Sequence, residues 1–247
     1  MGKETSSGKE KFDGIKWLKR KGVYVGWKSW KERKIDLTEL KNMVVLNAGG
    51  GSGAQSYSFH QLVKKIHTID ISEKDIREGK EKYKAENLFF EVGDIEQMPF
   101  KDSTFDIIYT HWVVEHLKNP SRFINESYRI LKDGGILMIY TSNIKSSLGF
   151  SIIVPHCLKL KILKILYKCD DVAHYKCYYR ANSIHKLDKL CKDKFKRIYL
   201  ERVDGEIIYL RSFKILTYLW FLKHKLTNNK LLNWTHAHFF VEYKKME

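Results

Sequence analysis

The sequence predicts an α/β fold built on a doubly wound, mostly parallel sheet, and three observations carry that prediction. Apolar, β-branched runs alternate with amphipathic segments between residues 43 and 140, the pattern of successive strand–helix units. The first run breaks into glycines at alternate positions, Gly49, Gly51 and Gly53, where backbone must turn sharply or lie against a ligand. Four runs end in polar residues: Asn47, Asp70, Asp94, and Thr110 with His111. Sheets of this kind bind ligands outside the carboxyl ends of their strands.

Taken in order, Met43 to Ala48 reads as a buried central strand, and Gln55 to Lys65 as the helix after the glycine turn. Lys65 to Ser72 reads as a second strand ending in Asp70. Its Asp70 falls about 20 residues beyond the first glycine, where nucleoside-binding α/β units place a ribose-binding carboxylate. Such a group accepts hydrogen bonds from two vicinal hydroxyls at once. Ser72 to Glu86 is a charged helix opened by a capping-box-like Ser72-Glu73-Lys74-Asp75. Leu88 to Val92 is a third strand, followed by Gly93-Asp94-Ile95 and a loop from Glu96 to Ser103. Thr104 to Thr110 is a fourth strand, and Pro120 opens a helix through Leu131. Asp133-Gly134-Gly135 is read as a turn before a fifth strand, Ile136 to Tyr140. Asn182-Ser183 caps a helix to Cys191. Phe195 to Arg202 and His236 to Tyr243 supply the sixth and seventh strands, with a basic, apolar helix inside Ile207 to Lys225.

Composition narrows the class. Hydrophobic residues make up 43% of the 247 positions, enough for a packed core, which excludes global disorder. No apolar run approaches the ~20 residues that span a bilayer, and Met1 to Lys11 lacks the apolar centre of a signal peptide. The expected setting is cytoplasmic, with peripheral membrane contact as the variant. The net charge of +16 invites polyanionic partners, yet lysines are spread along the chain and form no polybasic block. Cys157, Cys169, Cys177 and Cys191 form no C-x-x-C pair, and no metal site is expected from them or from His174. Two basic amphipathic stretches, Leu158–Lys168 and Phe213–Lys225, could lie on an anionic membrane or cover the sheet.

Five segments together resemble the class I S-adenosylmethionine-dependent methyltransferases, in the branch that includes the ubiquinone/menaquinone-biosynthesis-like enzymes. They are Asn47-Ala48-Gly49-Gly50-Gly51-Ser52-Gly53; Ile69-Asp70-Ile71-Ser72; Gly93-Asp94-Ile95 with Met98-Pro99-Phe100; Phe105-Asp106-Ile107-Ile108 leading into Val114-Glu115-His116-Leu117; and Arg129 to Gly135. The resemblance covers roughly residues 40–142. It implies a seven-stranded Rossmann-like sheet with an antiparallel last strand, and S-adenosyl-L-methionine as cofactor. Gly49, Gly51 and Gly53 would wrap the cofactor's methionine and ribose. Asp70, with Ile71 beside it, would take the ribose hydroxyls. Asp94 and the Ile95 backbone would meet the adenine, and Thr110 would lie near the methionine end. Asn47 stands where the family usually has an acid, so the turn is kept and a charge is lost. A dinucleotide site would want G-x-G-x-x-G, whereas the spacing here is G-x-G-x-G.

His111 and His116 are the candidate general bases, because imidazole titrates near neutral pH; Glu115 reads as a local hydrogen-bonding partner. The implied organisation is a leader with cap helices over residues 1–40 and one domain over 41–247. Within it, 41–142 forms the cofactor half and 143–247 the substrate-side half. The expected acceptor is a small molecule, glycan or lipid. A scaffold that kept the fold without turnover, or an RNA methyltransferase, are the competing readings. The aromatics show no RNA-binding signature, so nucleic acid is the less favoured partner.

Overall fold

The computed structural model describes residues 40–146, 175–203, 214–229 and 231–247. The expected segments at 11–40 (save Leu40) and 158–168 lie outside them, as do Cys157, Cys169 and His174. Seven strands form one sheet: β1 (Val44–Ala48), β2 (Lys65–Asp70), β3 (Leu88–Val92), β4 (Phe105–His111), β5 (Leu131–Ser142), β6 (Phe195–Val203) and β7 (His238–Lys245). Their order is β3-β2-β1-β4-β5-β7-β6. β1 to β5 pair in parallel, and β7 runs antiparallel between β5 and β6. The expected mostly parallel sheet with an antiparallel last strand is therefore what forms.

Both faces of the sheet are buried, which is why the central strands lack polar alternation. On one face Leu46, Ile69, Ile108, Leu137 and Val241 pack with Phe123 and Ile124 of α3 (Pro120–Ile130) and Leu187 of α4 (Ile184–Cys191). On the other, Val45, Ile66, Phe90, Ile107, Met138 and Phe240 pack with Ile76 of α2 (Glu73–Lys82). Ser72 caps α2 by accepting from the Asp75 amide at 3.2 Å, and Ser183 caps α4 by accepting from that of Lys186 at 3.4 Å.

Two elements differ from expectation. The first helix, α1, stops at Phe59 (Ala54–Phe59) and gives way to a 3₁₀ turn at His60–Leu62. Side chains take over its closing carbonyls: Ser58 Oγ donates to the Gln55 carbonyl, and Asn87 Nδ2 to those of His60 and Val63. β5 begins at Leu131, directly after α3, so Asp133-Gly134-Gly135 lies within the strand instead of preceding it. The β4–β5 register breaks between Phe105 and Ile107, and Gly134 takes φ 73° there, the mark of a bulge.

Beyond α4 and β6, a further helix, α5 (Lys214–Thr227), and a 3₁₀ turn at Asn233–Thr235 lead into β7.

Candidate functional site

A cleft of about 580 Å³ opens over the carboxyl ends of the parallel strands. Gly49, Gly51, Asp70, Ile71, Asp94, Ile95 and His116 all line it. Residues as far as 67 positions apart in sequence thus meet at one rim of the sheet because the parallel register brings those strand ends together.

The glycine turn is pinned from below: the amides of Gly49 and Gly50 both donate to the Ile69 carbonyl, at 2.8 and 3.1 Å. Gly51 has φ 53°, and a Cβ there would meet nothing within 4 Å. Its Cα therefore faces open cleft, and a ligand can lie close against the backbone there. The Gly51 amide donates to Asp70 Oδ2 at 2.8 Å, while the Ser72 amide donates to Oδ1 at 2.9 Å. Both carboxylate oxygens are oriented by backbone, and each keeps acceptor capacity for a hydroxyl. Asp94 is exposed; its Oδ1 accepts from the Glu96 amide at 2.8 Å, which aims the carboxylate while leaving Oδ2 for a donor. Ile71 is 65% exposed at this end of the cleft, an apolar surface suited to one face of a planar ring.

The turn after β4 forms the far wall. Trp112 takes φ 61°, uncommon for a bulky side chain, and packs edge-on to Tyr140 and His238 with centroids 5.3 and 4.5 Å apart. His116 Nδ1 donates to the Lys176 carbonyl at 3.1 Å and lies 3.6 Å from Cys177 Sγ. With Nδ1 as donor, Nε2 carries the lone pair. Burial works against the imidazolium of His116. The Cys177 contact, the Lys176 carbonyl and the Glu115 charge outweigh it and hold the pKa above the ordinary value.

Glu115 is buried, and burial pushes its pKa up. Its Oε2 accepts from Thr141 Oγ1 at 2.7 Å; Thr141 Oγ1 in turn accepts from Asn182 Nδ2 at 2.8 Å. The Glu115 carbonyl accepts from the amides of Tyr178 and Tyr179 at 2.7 and 3.1 Å. One turn therefore clamps a segment some sixty residues downstream against the cleft.

Not every expected residue reaches the cleft. Asn47 is 1% exposed, and its Nδ2 donates to Ser56 Oγ at 2.9 Å, beneath the turn. Gly53 makes room for packing: a Cβ there would lie 2.4 Å from the Phe90 ring. Thr110 and His111 line a separate 90 Å³ cavity with Gln55, Met138 and Phe240. His111 Nδ1 pairs with Gln55 Nε2 at 2.8 Å, its ring stacks on Tyr140, and burial lowers its pKa to about 4.

Other residues line the cleft without having been singled out as site residues: Trp112, Lys118, Tyr175, Lys176 and Tyr178. The aromatic and basic run from Tyr175 to Arg180 was the available signal, but nothing local ties it to His116. Arg129 was visible only as part of a motif. It binds the carbonyls of Met98 and Phe100 at 2.9 and 2.7 Å, and the carboxylates of Asp102 and Glu126 at 2.8 Å, fixing the loop after Asp94. Among the described residues no group of three or more His, Cys, Asp or Glu side chains could hold a metal ion.

Comparison with known proteins agrees with this geometry. Residues 46–139 match the methyltransferase-domain family. A ubiquinone/menaquinone biosynthesis C-methyltransferase of Ruegeria is 32% identical over 117 residues, covering 44% of this chain and 47% of that protein. Its counterpart in Roseobacter denitrificans is 28% identical over 141 residues, covering 54% and 55%. The chain thus spans about half the length of these curated relatives. An S-adenosylmethionine-dependent methyltransferase from Mesorhizobium loti superposes with a TM-score of 0.58 at 14% identity, covering 87% of this chain and 98% of the other, a likeness of fold. Residues 46–139 thus carry the methyltransferase-domain match within a seven-stranded sheet whose fold is shared with solved methyltransferases.

Proposed function

We propose that the protein transfers a methyl group from S-adenosyl-L-methionine to a small, ring-bearing acceptor. The observation that carries this is the Asp70 carboxylate, held by the Gly51 and Ser72 amides at the edge of a cleft on which Gly51 opens directly. In this reading Asp70 receives the ribose hydroxyls, Asp94 and Ile95 the adenine, Ile71 covers its ring, and the backbone of Gly49 to Gly51 borders the methionine portion. Asn47 acts from below the turn, through Ser56, and Gly53 by giving Phe90 room. Residues 41–142 then form the cofactor half, and 143–247 select the acceptor.

The bound cofactor supplies an electrophilic methyl for in-line displacement. The protein's share is alignment and exclusion of water. Trp112, Val113 and Leu117 give the far wall an apolar lining. Where the acceptor must lose a proton, His116 is the better placed of the two imidazoles: it lines the cleft, keeps Nε2 free to accept, and has the higher proton affinity. His111, with its pKa near 4, is a weak base and serves in wall packing beside Thr110.

Tyr175 and Tyr178 with Lys118 and Lys176 favour an aromatic or apolar acceptor with a negatively charged substituent. The quinone-pathway names of the matching relatives agree with the aromatic part of that class. Labelled methyl transfer into fractionated cell extract, with mass spectrometry of the product, tests the reading. Calorimetry with S-adenosyl-L-methionine accompanies it; no binding by the intact protein overturns the proposal. Label appearing in RNA instead of a small molecule would favour the nucleic-acid reading.

A further inference from the structure

α5 carries two apolar faces, and among the described residues one is packed while the other is exposed. Thr217 and Trp220 are buried against the body, and the His224 ring stacks on those of Trp220 and His236. On the opposite side Ile215, Tyr218, Leu219, Leu222 and Leu226 are 75, 52, 54, 39 and 70% exposed. Their spacing of i, i+3, i+4, i+7 and i+11 sets them in one stripe along the helix. The chain continues the surface just beyond, with Leu231 84% and Trp234 48% exposed. An outward stripe of this extent on a helix that already has a buried face does not come from packing within the described residues.

Charge identifies the occupant. By helical phase Lys214 and Lys225 border the stripe on one side and Lys223 on the other, positions from which a lysine stem can follow apolar surface while its ammonium reaches a polar layer. Between Glu206 and Glu242 the sequence holds four lysines, one arginine and no acidic residue. A protein partner reading this face would have to match it side chain by side chain. A bilayer with anionic headgroups matches it by depth alone, with leucines in the acyl boundary, lysines at phosphate level, and Tyr218 and Trp234 at the interface between them.

From these observations we infer that α5 docks the protein onto anionic membrane, lying in the plane of the interface. Topology gives the docking a direction. β6 ends and β7 begins at the carboxyl edge of the parallel strands, where Val203 pairs with His238 and His238 with Ser142 of β5. α5 is an excursion from that edge, and Asn143 ties the turn behind it to β5 through the carbonyls of Trp234 and His236 at 2.8 and 2.9 Å. Docking therefore presents the edge of the sheet that bears the cleft. That orientation suits an acceptor dissolved in the bilayer, a consequence that rests on the proposed function; the docking itself does not.

The test is co-sedimentation of the full-length protein with vesicles of phosphatidylcholine alone or mixed with phosphatidylglycerol. The wild type is expected to bind the mixed vesicles at least about tenfold more tightly than the neutral ones. Leu222→Glu with Leu226→Glu should lower that binding by about tenfold or more, and Lys223→Glu with Lys225→Glu should abolish the preference for anionic lipid. Leu222, Lys225 and Leu226 are exposed and Lys223 is half-buried, and circular dichroism checks that each variant folds. Absence of binding to mixed vesicles overturns the inference, as does binding that the leucine variant leaves intact. So does a wild-type dimer in light scattering that the leucine variant dissolves without any vesicle binding. Cofactor calorimetry on the same samples reads the methyltransferase proposal separately, because α5 contributes nothing to that cleft.

Discussion

Asp70 concentrates more of the proposed binding than any other side chain, since its two oxygens serve the turn and the ligand together. Asp70→Asn keeps the shape but turns one oxygen into a donor facing a backbone amide. Cofactor affinity should fall by about tenfold to a hundredfold, the worth of one or two hydrogen bonds to a charged group, measured by calorimetry; an unchanged affinity would remove Asp70 from the ribose position. His111 makes a prediction about acid stability. Its folded pKa of about 4 lies below the unfolded value near 6.5, so between these pH values the unfolded chain binds the extra proton. Its contribution is complete above pH 6.5 and is lost as pH falls towards 4, by up to about 3 kcal/mol. Chemical denaturation at pH 7 and pH 4.5 should show His111→Gln losing less stability on acidification than the wild type. Equal losses would mean that His111 is not held neutral.

At the scale of elements, the turn after β4 and the loop after β3 are the parts that need support. Glu115 is a buried acid whose hydrogen bonds a neutral amide can also accept. Glu115→Gln should leave thermal stability equal or higher at pH 8, whereas Glu115→Ala, which removes the acceptor of the buried Thr141 hydroxyl, should lose about 2 kcal/mol. Melting curves at that pH decide between this and a role for the charge itself. Arg129→Ala removes donors to two carbonyls and two carboxylates, and should cost about 2 kcal/mol in urea unfolding while weakening cofactor binding through the Asp94 loop. Intact cofactor affinity in that variant would show that the loop holds without its clasp. These supports also mark where sequence reading stops. Strand ends and glycines are local features, so Gly49, Gly51, Asp70 and Asp94 could be named from spacing. The pairing of Glu115 with Tyr178 and Tyr179, or of Arg129 with Met98, joins distant segments with no periodicity. Asn47 shows a subtler failure: its position at the strand end was legible, but not that Ser56 turns its amide beneath the glycines.

For the whole molecule, the alternation of strand and helix was readable because parallel strands buried on both faces are nearly continuous apolar runs. Less readable was the length of α1, since capping side chains, and not hydrophobic pattern, set where it ends. The same holds for β5, whose glycine pair bends the strand without interrupting it. Charge acts at this scale too: with a net charge of +16, vesicle association should weaken steadily with added salt, whereas cofactor affinity, set by short contacts inside a cleft, should change little. The sheet order carries one more consequence, for the time course of synthesis. β7, the last strand in chain order, lies between β5 and β6. Until it leaves the ribosome, β5 presents an open edge and β6 has no neighbour to join. A nascent chain halted just after α5 would therefore hold a nearly complete cofactor cradle beside an unpaired, aggregation-prone strand. Chaperone capture should peak at that length and fall once residues 238–245 have emerged.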